Sequence, residues 1–260
     1  MEADYNYFCN QVEKLTGIHL ASYKRPQMER RLKAFMGRLG VDCYVSLTRL
    51  MEKDEGRLKE FKDFLTINVS DFFRNTDKFD ELRERFLRPA AQCGQHLRIW
   101  SAGCSNGSEP YSLAIILEEL GSPHGHTIWA TDIDEEILRR AKAGRYRGYE
   151  IRNVDRARRD RHFAQTGPDE WTIGERFQQR VEFSYHNLLD PTFPSGFDLI
   201  LCRNVVIYFT EDAKDELYRK FSQSLKPSGV LFVGGAESIF KAQELGLESV
   251  APFFYRKRAA

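Results

Sequence analysis

Leu97-Arg98-Ile99-Trp100-Ser101-Ala102-Gly103-Cys104-Ser105-Asn106-Gly107-Ser108-Glu109-Pro110-Tyr111-Ser112-Leu113 decides how this chain folds. It opens as a short apolar run rich in β-forming residues. It then breaks into small residues and continues as an amphipathic helix to about Leu120. Strand, glycine loop, helix is the opening of a nucleotide-binding α/β unit. Gly103 ends the strand without a side chain, which lets a ligand approach the backbone. Ser108 reads as the helix N-cap, and Pro110 suits the first turn, where its missing N–H is not needed.

The glycine spacing is G-x-x-x-G, so this is not the G-x-G-x-x-G dinucleotide fingerprint. No Gly-Lys-Ser/Thr follows, so it is not a phosphate loop either. Glu109 sits where a pyrophosphate would want donors; a glutamate there suits a cationic or hydroxyl-bearing ligand. The alternative is an ordinary βα turn with a surface glutamate.

The chain has 260 residues, enough for a full α/β domain plus a small one. Its formal net charge is +1, so no global field selects a polyanion. No apolar run approaches the ~18–20 residues that span a bilayer. Met1-Glu2-Ala3-Asp4-Tyr5-Asn6 is acidic and polar, unlike a secretory leader. The five cysteines are scattered without a C-x-x-C pair, which argues against a zinc site or disulfide framework and for a cytoplasmic location.

Residues 1–70 read as a helical domain, with amphipathic segments at Tyr5–Thr16, Pro26–Leu39, Val45–Glu52 and Arg57–Ile67. From Lys24 to Arg38 six basic residues face one acid, Glu29. Such a lopsided face, with Arg30, Arg31, Lys33 and Arg38, is either merely solvated or a docking surface for an acidic partner. Asn68-Val69-Ser70-Asp71-Phe72-Phe73-Arg74 joins this domain to the next, residues 71–260. An arginine held by aromatics suits a carboxylate clamp; the phenylalanines alone would make an apolar plug. Phe79–Leu87 then reads as a helix ended by Pro89.

Beyond the organising stretch the α/β pattern repeats. Thr127–Thr131 is a strand ending in Asp132-Ile133-Asp134, where such folds bind ribose hydroxyls. Either aspartate also suits capping of the helix Glu135–Ala143, and two allow one to cap while the other binds. Residues 151–180 lose the alternation and read as an inserted subdomain of one helix and one or two short strands. Strands return at Val181–Tyr185 and Phe197–Cys202, followed by a helix to Leu225. Lys226-Pro227-Ser228-Gly229 reads as a turn, Val230–Val233 as a buried strand and Phe253–Lys257 as the last strand. Ligands of open α/β sheets lie beyond the strands' carboxyl ends, so Gly103–Glu109, Asp132, Asn187–Leu188 and Arg203–Tyr208 should face one crevice.

Five stretches then carry a resemblance over nearly the whole chain: Asn68-x-Ser70-x-Phe72-Phe73-Arg74; Ala102-Gly103-Cys104-Ser105-x-Gly107-x-Glu109-Pro110-Tyr111-Ser112; Ala130-Thr131-Asp132-Ile133-Asp134; Asn187-Leu188-Leu189; and Cys202-Arg203-Asn204-Val205-x-Ile207-Tyr208-Phe209. In this order they resemble the chemotaxis receptor glutamate O-methyltransferases. The resemblance implies a class I (Rossmann-like) S-adenosylmethionine-dependent methyltransferase domain, a small all-helical N-terminal domain and a small inserted subdomain. It implies S-adenosylmethionine as cofactor, S-adenosylhomocysteine as product and no metal. Its substrate would be the cytoplasmic helical bundle of chemotaxis receptors, not nucleic acid, with no membrane insertion.

Matched residue by residue, the resemblance implies cofactor contacts from Gly103 and Glu109, from Asp132 to the ribose, and from Asn187 and Leu188 to the adenosine. Asn68, Ser70 and Arg74 would cover the cofactor, Arg203 and Asn204 would line the pocket, and Tyr208 would sit near the methyl group. Arg74 and Tyr208 are the catalytic candidates: Arg74 orients the substrate carboxylate and Tyr208 positions donor or carboxylate. Two departures stand out. Ser108 replaces a second acidic residue that the family usually has. The insertion's turn, Gln165-Thr166-Gly167-Pro168-Asp169-Glu170-Trp171, has a single glycine where some members use a glycine-rich turn to grip a receptor's C-terminal peptide, which argues against that grip here. Two other function classes compete: a nucleic-acid-binding methyltransferase-like module, favoured by the basic stretches, and a non-catalytic sensor of adenosine ligands.

Overall fold

The computed structural model describes residues 2–66, 68–122 and 125–259. The chain forms two compact units, one of Met1–Ile67 with Val205–Arg219, the other of Asn68–Asn204 with Lys220–Ala260.

In the first unit four helices pack by their apolar stripes: α1 (Glu2–Thr16), α2 (Arg25–Leu39), α3 (Tyr44–Lys53) and α4 (Glu55–Leu65). All four segments expected from periodicity are helical; Ile67, the expected end of the last, lies outside the described residues. Phe8, Phe35 and Phe61 are fully buried, with Phe61 edge-on to both of the others. Pro26 sits in the first turn of α2, Gly40 at φ +66° closes it, and the Asp54 side chain caps α4. The segment from Val205 completes this unit. Its backbone bridges Tyr23 to Phe209, with Lys24 N–H donating to Tyr208 O (2.8 Å) and Thr210 N–H to Ser22 O (2.9 Å).

The second unit begins with helix α5 (Thr76–Leu82), which continues through a π turn (Arg83–Leu87) into α6 (Arg88–Gln92). Pro89 therefore does not end this helix. The wider turn, in which Arg88 N–H donates to Arg83 O, absorbs the misfit of the proline ring with the preceding turn. Next come β1 (Arg98–Ala102), α7 (Ser108–Glu119), β2 (Thr127–Asp132), α8 (Glu135–Ala143), β3 (Arg145–Arg147), α9 (Arg156–His162), β4 (Phe163–Gly167), β5 (Glu170–Ile173), α10 (Glu175–Gln178), β6 (Val181–Tyr185) and β7 (Phe197–Cys202). Helix α11 (Glu211–Ser224) leads to β8 (Leu225–Val233), β9 (Leu247–Ala251) and β10 (Phe254–Lys257).

Seven strands form one sheet in the order β6-β2-β1-β7-β8-β10-β9. The first five run parallel and β10 runs antiparallel to both of its neighbours. Ile99 to Ala102 are buried without alternation, as expected for a parallel strand covered on both faces. Helix α7 is buried from Pro110 to Leu117, so it lies within the core rather than on its surface. Strand β2 leaves β1 on one side and β7 joins it on the other, which places the topological switch point between β1 and β7.

Four local expectations need correction. Ser108 is not the N-cap: Gly107 holds that position at φ +83°, and Asn106 Oδ1 accepts from Ser108 N–H (3.1 Å) instead. Lys226–Gly229 is not a turn between elements but a bulge inside β8, whose two ends both pair with β7. A Cβ on Gly229 would lie 2.9 Å from Lys226 O and 3.0 Å from Phe197 O, so the bulge requires glycine. Strand β9 has no counterpart in the sequence reading, because Leu247-Glu248-Ser249-Val250-Ala251 is short and its apolar residues do not alternate. The insertion has a three-stranded sheet, β3-β5-β4, that starts at Arg145 rather than Ile151. None of the described helices is long and apolar enough to cross a membrane.

Candidate active site

The parallel strands bring their carboxyl ends to one edge of the sheet. After β1 the chain turns sharply: Gly103 and Cys104 N–H both donate to Thr131 O at the end of β2 (2.8 and 2.9 Å). Ser105 takes φ +51°, a left-handed conformation uncommon for a residue with a side chain. It is fixed there because its N–H donates to Asp132 Oδ2 (2.9 Å). Asp132 Oδ1 accepts from Asp134 N–H (3.1 Å). Burial of Asp132 raises its carboxyl from 3.8 to about 6, opposed by these backbone donors. A carboxylate has about four lone-pair sites, so Asp132 keeps acceptor capacity beyond its backbone bonds. Asp134 has the other role: its Oδ1 caps α8 through the N–H groups of Glu136 and Ile137, and its Oδ2 accepts from Asn68 Nδ2 (2.7 Å). One aspartate caps while its neighbour stays available.

Across the switch point lies a buried ion pair. Glu109 Oε2 accepts from Arg203 Nη1 (3.3 Å), and Glu109 Oε1 accepts from Ser101 Oγ (2.8 Å). Burial pushes the Glu109 carboxyl up and the Arg203 guanidinium down, and each counters the other's shift. Arg203 Nη2 reaches Arg74 O (2.7 Å) and Asn75 Oδ1 (2.9 Å), and its guanidinium packs over Phe232 (4.6 Å) and Phe79 (5.2 Å). Glu109 on α7, Arg203 after β7 and the Arg74 backbone are therefore linked directly. Among the described residues the Arg74 side chain donates to Val69 O (3.2 Å), and it is partly exposed. Ser70 O accepts from Asn106 Nδ2 (3.3 Å).

After β6, Asn187 is buried and its Oδ1 accepts from Leu189 N–H (3.0 Å). Buried Lys220 holds this turn from α11, donating to Leu188 O (3.1 Å) and Asp190 O (2.7 Å). Asn204 is left-handed at φ +62°, and its N–H donates to Glu237 Oε2 (2.9 Å). The same oxygen accepts from Gly234 N–H (2.7 Å); a Cβ on Gly234 would lie 2.6 Å from it. Asn106, Glu150, Lys220 and Glu237 are the residues that sequence reasoning did not single out. Glu150 is one of three acids among ten basic residues from Arg139 to Arg161, and Glu237 lies two residues beyond the pair Gly234-Gly235.

Tyr208 belongs to the first unit, in the 3-10 turn Val206–Tyr208. On α2, Arg30, Lys33 and Arg38 are exposed, and Arg38 pairs with Glu60 (3.1 Å). Arg31 is turned inward instead. Its guanidinium lies over Phe64 (4.8 Å) and donates to the carbonyls of Phe64 and Leu65, which end α4.

A cofactor carrying several hydrogen-bonding groups fits this edge on an observation independent of motif. Ser105 Oγ, Ser108 Oγ, Arg203 Nε and Asn204 Oδ1 are buried side-chain atoms without a protein partner. All four follow β1 or β7, around the switch point where open α/β sheets bind ligands. The fold, with the family matches that follow, is that of an α/β S-adenosylmethionine-dependent methyltransferase. Residues 68–251 match the family model described as CheR methyltransferase, SAM binding domain, and residues 3–66 match CheR methyltransferase, all-alpha domain. The chain belongs to the CheR methyltransferase family. It is 39% identical to a chemotaxis protein methyltransferase of Listeria monocytogenes, over 99% of this chain and 98% of that one. It is 37% identical to chemotaxis protein methyltransferase 1 of Pseudomonas aeruginosa, over 91% and 90% of the two chains. With the Escherichia coli chemotaxis protein methyltransferase it shares 35%, over 91% of this chain and 85% of the relative.

Proposed function

We propose that this protein methylates glutamate side chains of chemotaxis receptors in the cytoplasm, forming methyl esters and S-adenosylhomocysteine. The observation that carries the reading is the pairing of Asp132, buried with spare acceptor capacity, with the Glu109–Arg203 ion pair across the switch point. Asp132 would take the ribose hydroxyls, Asn187 and Leu188 the adenosine, and Gly103 and Glu109 the rest of the cofactor. Asn68, Ser70 and Arg74 would cover it, with Arg203 and Asn204 lining the pocket. S-Adenosylmethionine supplies an electrophilic methyl group on a sulfonium.

The chemistry asks little of the protein beyond alignment. A glutamate carboxylate, with an unperturbed pKa of about 4.3, is already ionised at neutral pH. Its oxygen forms the new C–O bond, the S–C bond breaks, and the electron pair stays on sulfur; no proton moves and no metal is required. The chain is consistent with that economy. Burial pushes the thiols of Cys104 and Cys202 well up, so neither is a nucleophile at neutral pH. Opposite charges cancel as the transfer proceeds, which a dry site favours. Arg74 would orient the substrate carboxylate by its planar fork, and Tyr208 would align the partners by hydrogen bonding. Exposed Arg30, Lys33 and Arg38 would steer the acidic receptor bundle.

The test is transfer of labelled methyl from S-adenosylmethionine to a cytoplasmic receptor fragment. Glutamate esters release the label as methanol at alkaline pH. Label that survives base, or no transfer to any such fragment, would overturn the reading. Saturable cofactor binding without turnover would leave the sensor alternative standing.

A further inference from the structure

The root of the insertion, residues 145–153, grips two segments that carry the proposed site. Glu150 is 2% exposed, yet its carboxylate accepts from three different elements. Arg140 Nη2 on α8 reaches both oxygens (2.6 and 2.7 Å), Asn106 Nδ2 reaches Oε1 (2.6 Å), and Arg147 N–H reaches Oε2 (2.8 Å). A buried carboxylate needs hydrogen bonds beyond its arginine to satisfy its remaining lone pairs, and Asn106 and the Arg147 N–H supply them here. The asparagine bond does something further. By engaging Nδ2 it orients the amide so that Oδ1 meets Ser108 N–H at the start of α7, while Nδ2 also reaches Ser70 O.

The backbone of the same residue holds the linker from the other side. Phe72 N–H donates to Glu150 O (2.9 Å), and Phe72 O accepts from Asn153 Nδ2 (3.1 Å). Asp71 accepts from Arg152 Nε and Nη2 (3.0 and 2.8 Å) and from Asn153 Nδ2 (3.0 Å). Immediately beyond, Phe73 and Asn75 take φ +50° and +62° on either side of Arg74. Left-handed backbone at residues with side chains persists only where the surroundings over-determine it. Phe73 N–H donates to Ser112 Oγ (3.0 Å) and Arg203 Nη2 reaches Arg74 O and Asn75 Oδ1, while the bonds from residues 150 and 153 fix the two residues that lead into this turn.

We propose that Glu150 is a positioning residue for methyl transfer: it locks the Arg74-bearing linker onto the loop after β1. This rests on the reading that Arg74 faces the reacting carboxylate. In Glu150→Gln the side chain keeps its shape but loses its charge and one acceptor oxygen. The decisive readout is hydrogen exchange of residues 68–74, alongside cofactor affinity and kcat. Exchange of that segment should quicken about tenfold and kcat should fall about tenfold, while the peptides of β1 and β2 keep their protection. Phe177→Leu, which thins the core of the same unit, serves as the control for lost stability alone. Arg152→Ala, at a largely exposed side chain, should loosen the linker in the same direction and is available should Glu150→Gln not fold. Linker exchange in both variants no faster than in the control would overturn the proposal. Exchange needs no substrate, so it answers even if receptor methylation itself fails.

Discussion

Replacing Asp132 by alanine removes the acceptor that the ribose hydroxyls would use, and the pH dependence of binding should vanish with it. In the ligand-free fold this carboxyl titrates at about 6, against 3.8 for the free group, because burial outweighs the bonds from Ser105 and Asp134. Folding therefore takes up a proton between those values, and Asp132 erodes stability as pH rises through that window. Hydroxyl donors favour the ionised form, so cofactor binding should release the proton. Affinity should be full at pH 7 and about tenfold weaker at pH 5, one unit below the midpoint. Charge-assisted hydrogen bonds contribute about 1.5–3 kcal/mol, so Asp132→Ala should weaken S-adenosylhomocysteine binding about 10- to 150-fold at pH 7. Calorimetry at pH 5, 6 and 7 on both proteins reads affinity and proton release together. Unchanged affinity in the variant, or parallel pH profiles, would refute the ribose assignment.

Arg74→Lys should reduce receptor methylation at least about tenfold with the fold intact, since an ammonium cannot present a planar fork; wild-type turnover would remove Arg74 from the mechanism. Reversing Arg30 and Lys33 to glutamate should slow receptor methylation steeply at low salt and less at high salt, with cofactor affinity unchanged by calorimetry. Normal methylation by that variant at low salt would make α2 a solvated face. Arg31→Ala should act differently, costing about 1–2 kcal/mol of stability because it uncovers the carbonyls ending α4; thermal unfolding measures this. Thiol labelling of the native protein should be fast at exposed Cys43 and Cys93, faster at Cys43 because its bond with Ser46 lowers its pKa, and slow at Cys9, Cys104 and Cys202.

The elements most legible in sequence were those whose side chains repeat with a physical period. Helices α1 to α4 and strands β1, β2, β6 and β7 follow from apolar spacing. Pro89 misled because a π turn makes room for it, and a conformation with so little sequence signature is set by packing. Strand β9 is an edge element with two exposed residues, so burial did not mark it. At the site, Asp132 and Asp134 were legible as a pair, and the structure divides capping from availability between them. Arg31 illustrates the reverse. Composition puts it with Arg30 and Lys33, and only the fold shows that its guanidinium turns onto α4. The distant partners of the Glu150 and Glu237 carboxylates, the Asn106 amide and the Asn204 N–H, are brought to them by the fold, and no local pattern reports them.

The helical unit is discontinuous, and this limits how the protein can be dissected or recombined. Tyr23 finds its backbone and ring partner in Phe209, and Lys24 finds its acceptor in Tyr208, more than half the chain away. A chimera made by exchanging the first 66 residues alone would inherit a foreign helical unit with the original 205–219 segment. Because the second piece carries Tyr208, the residue proposed to align the reaction would travel with it.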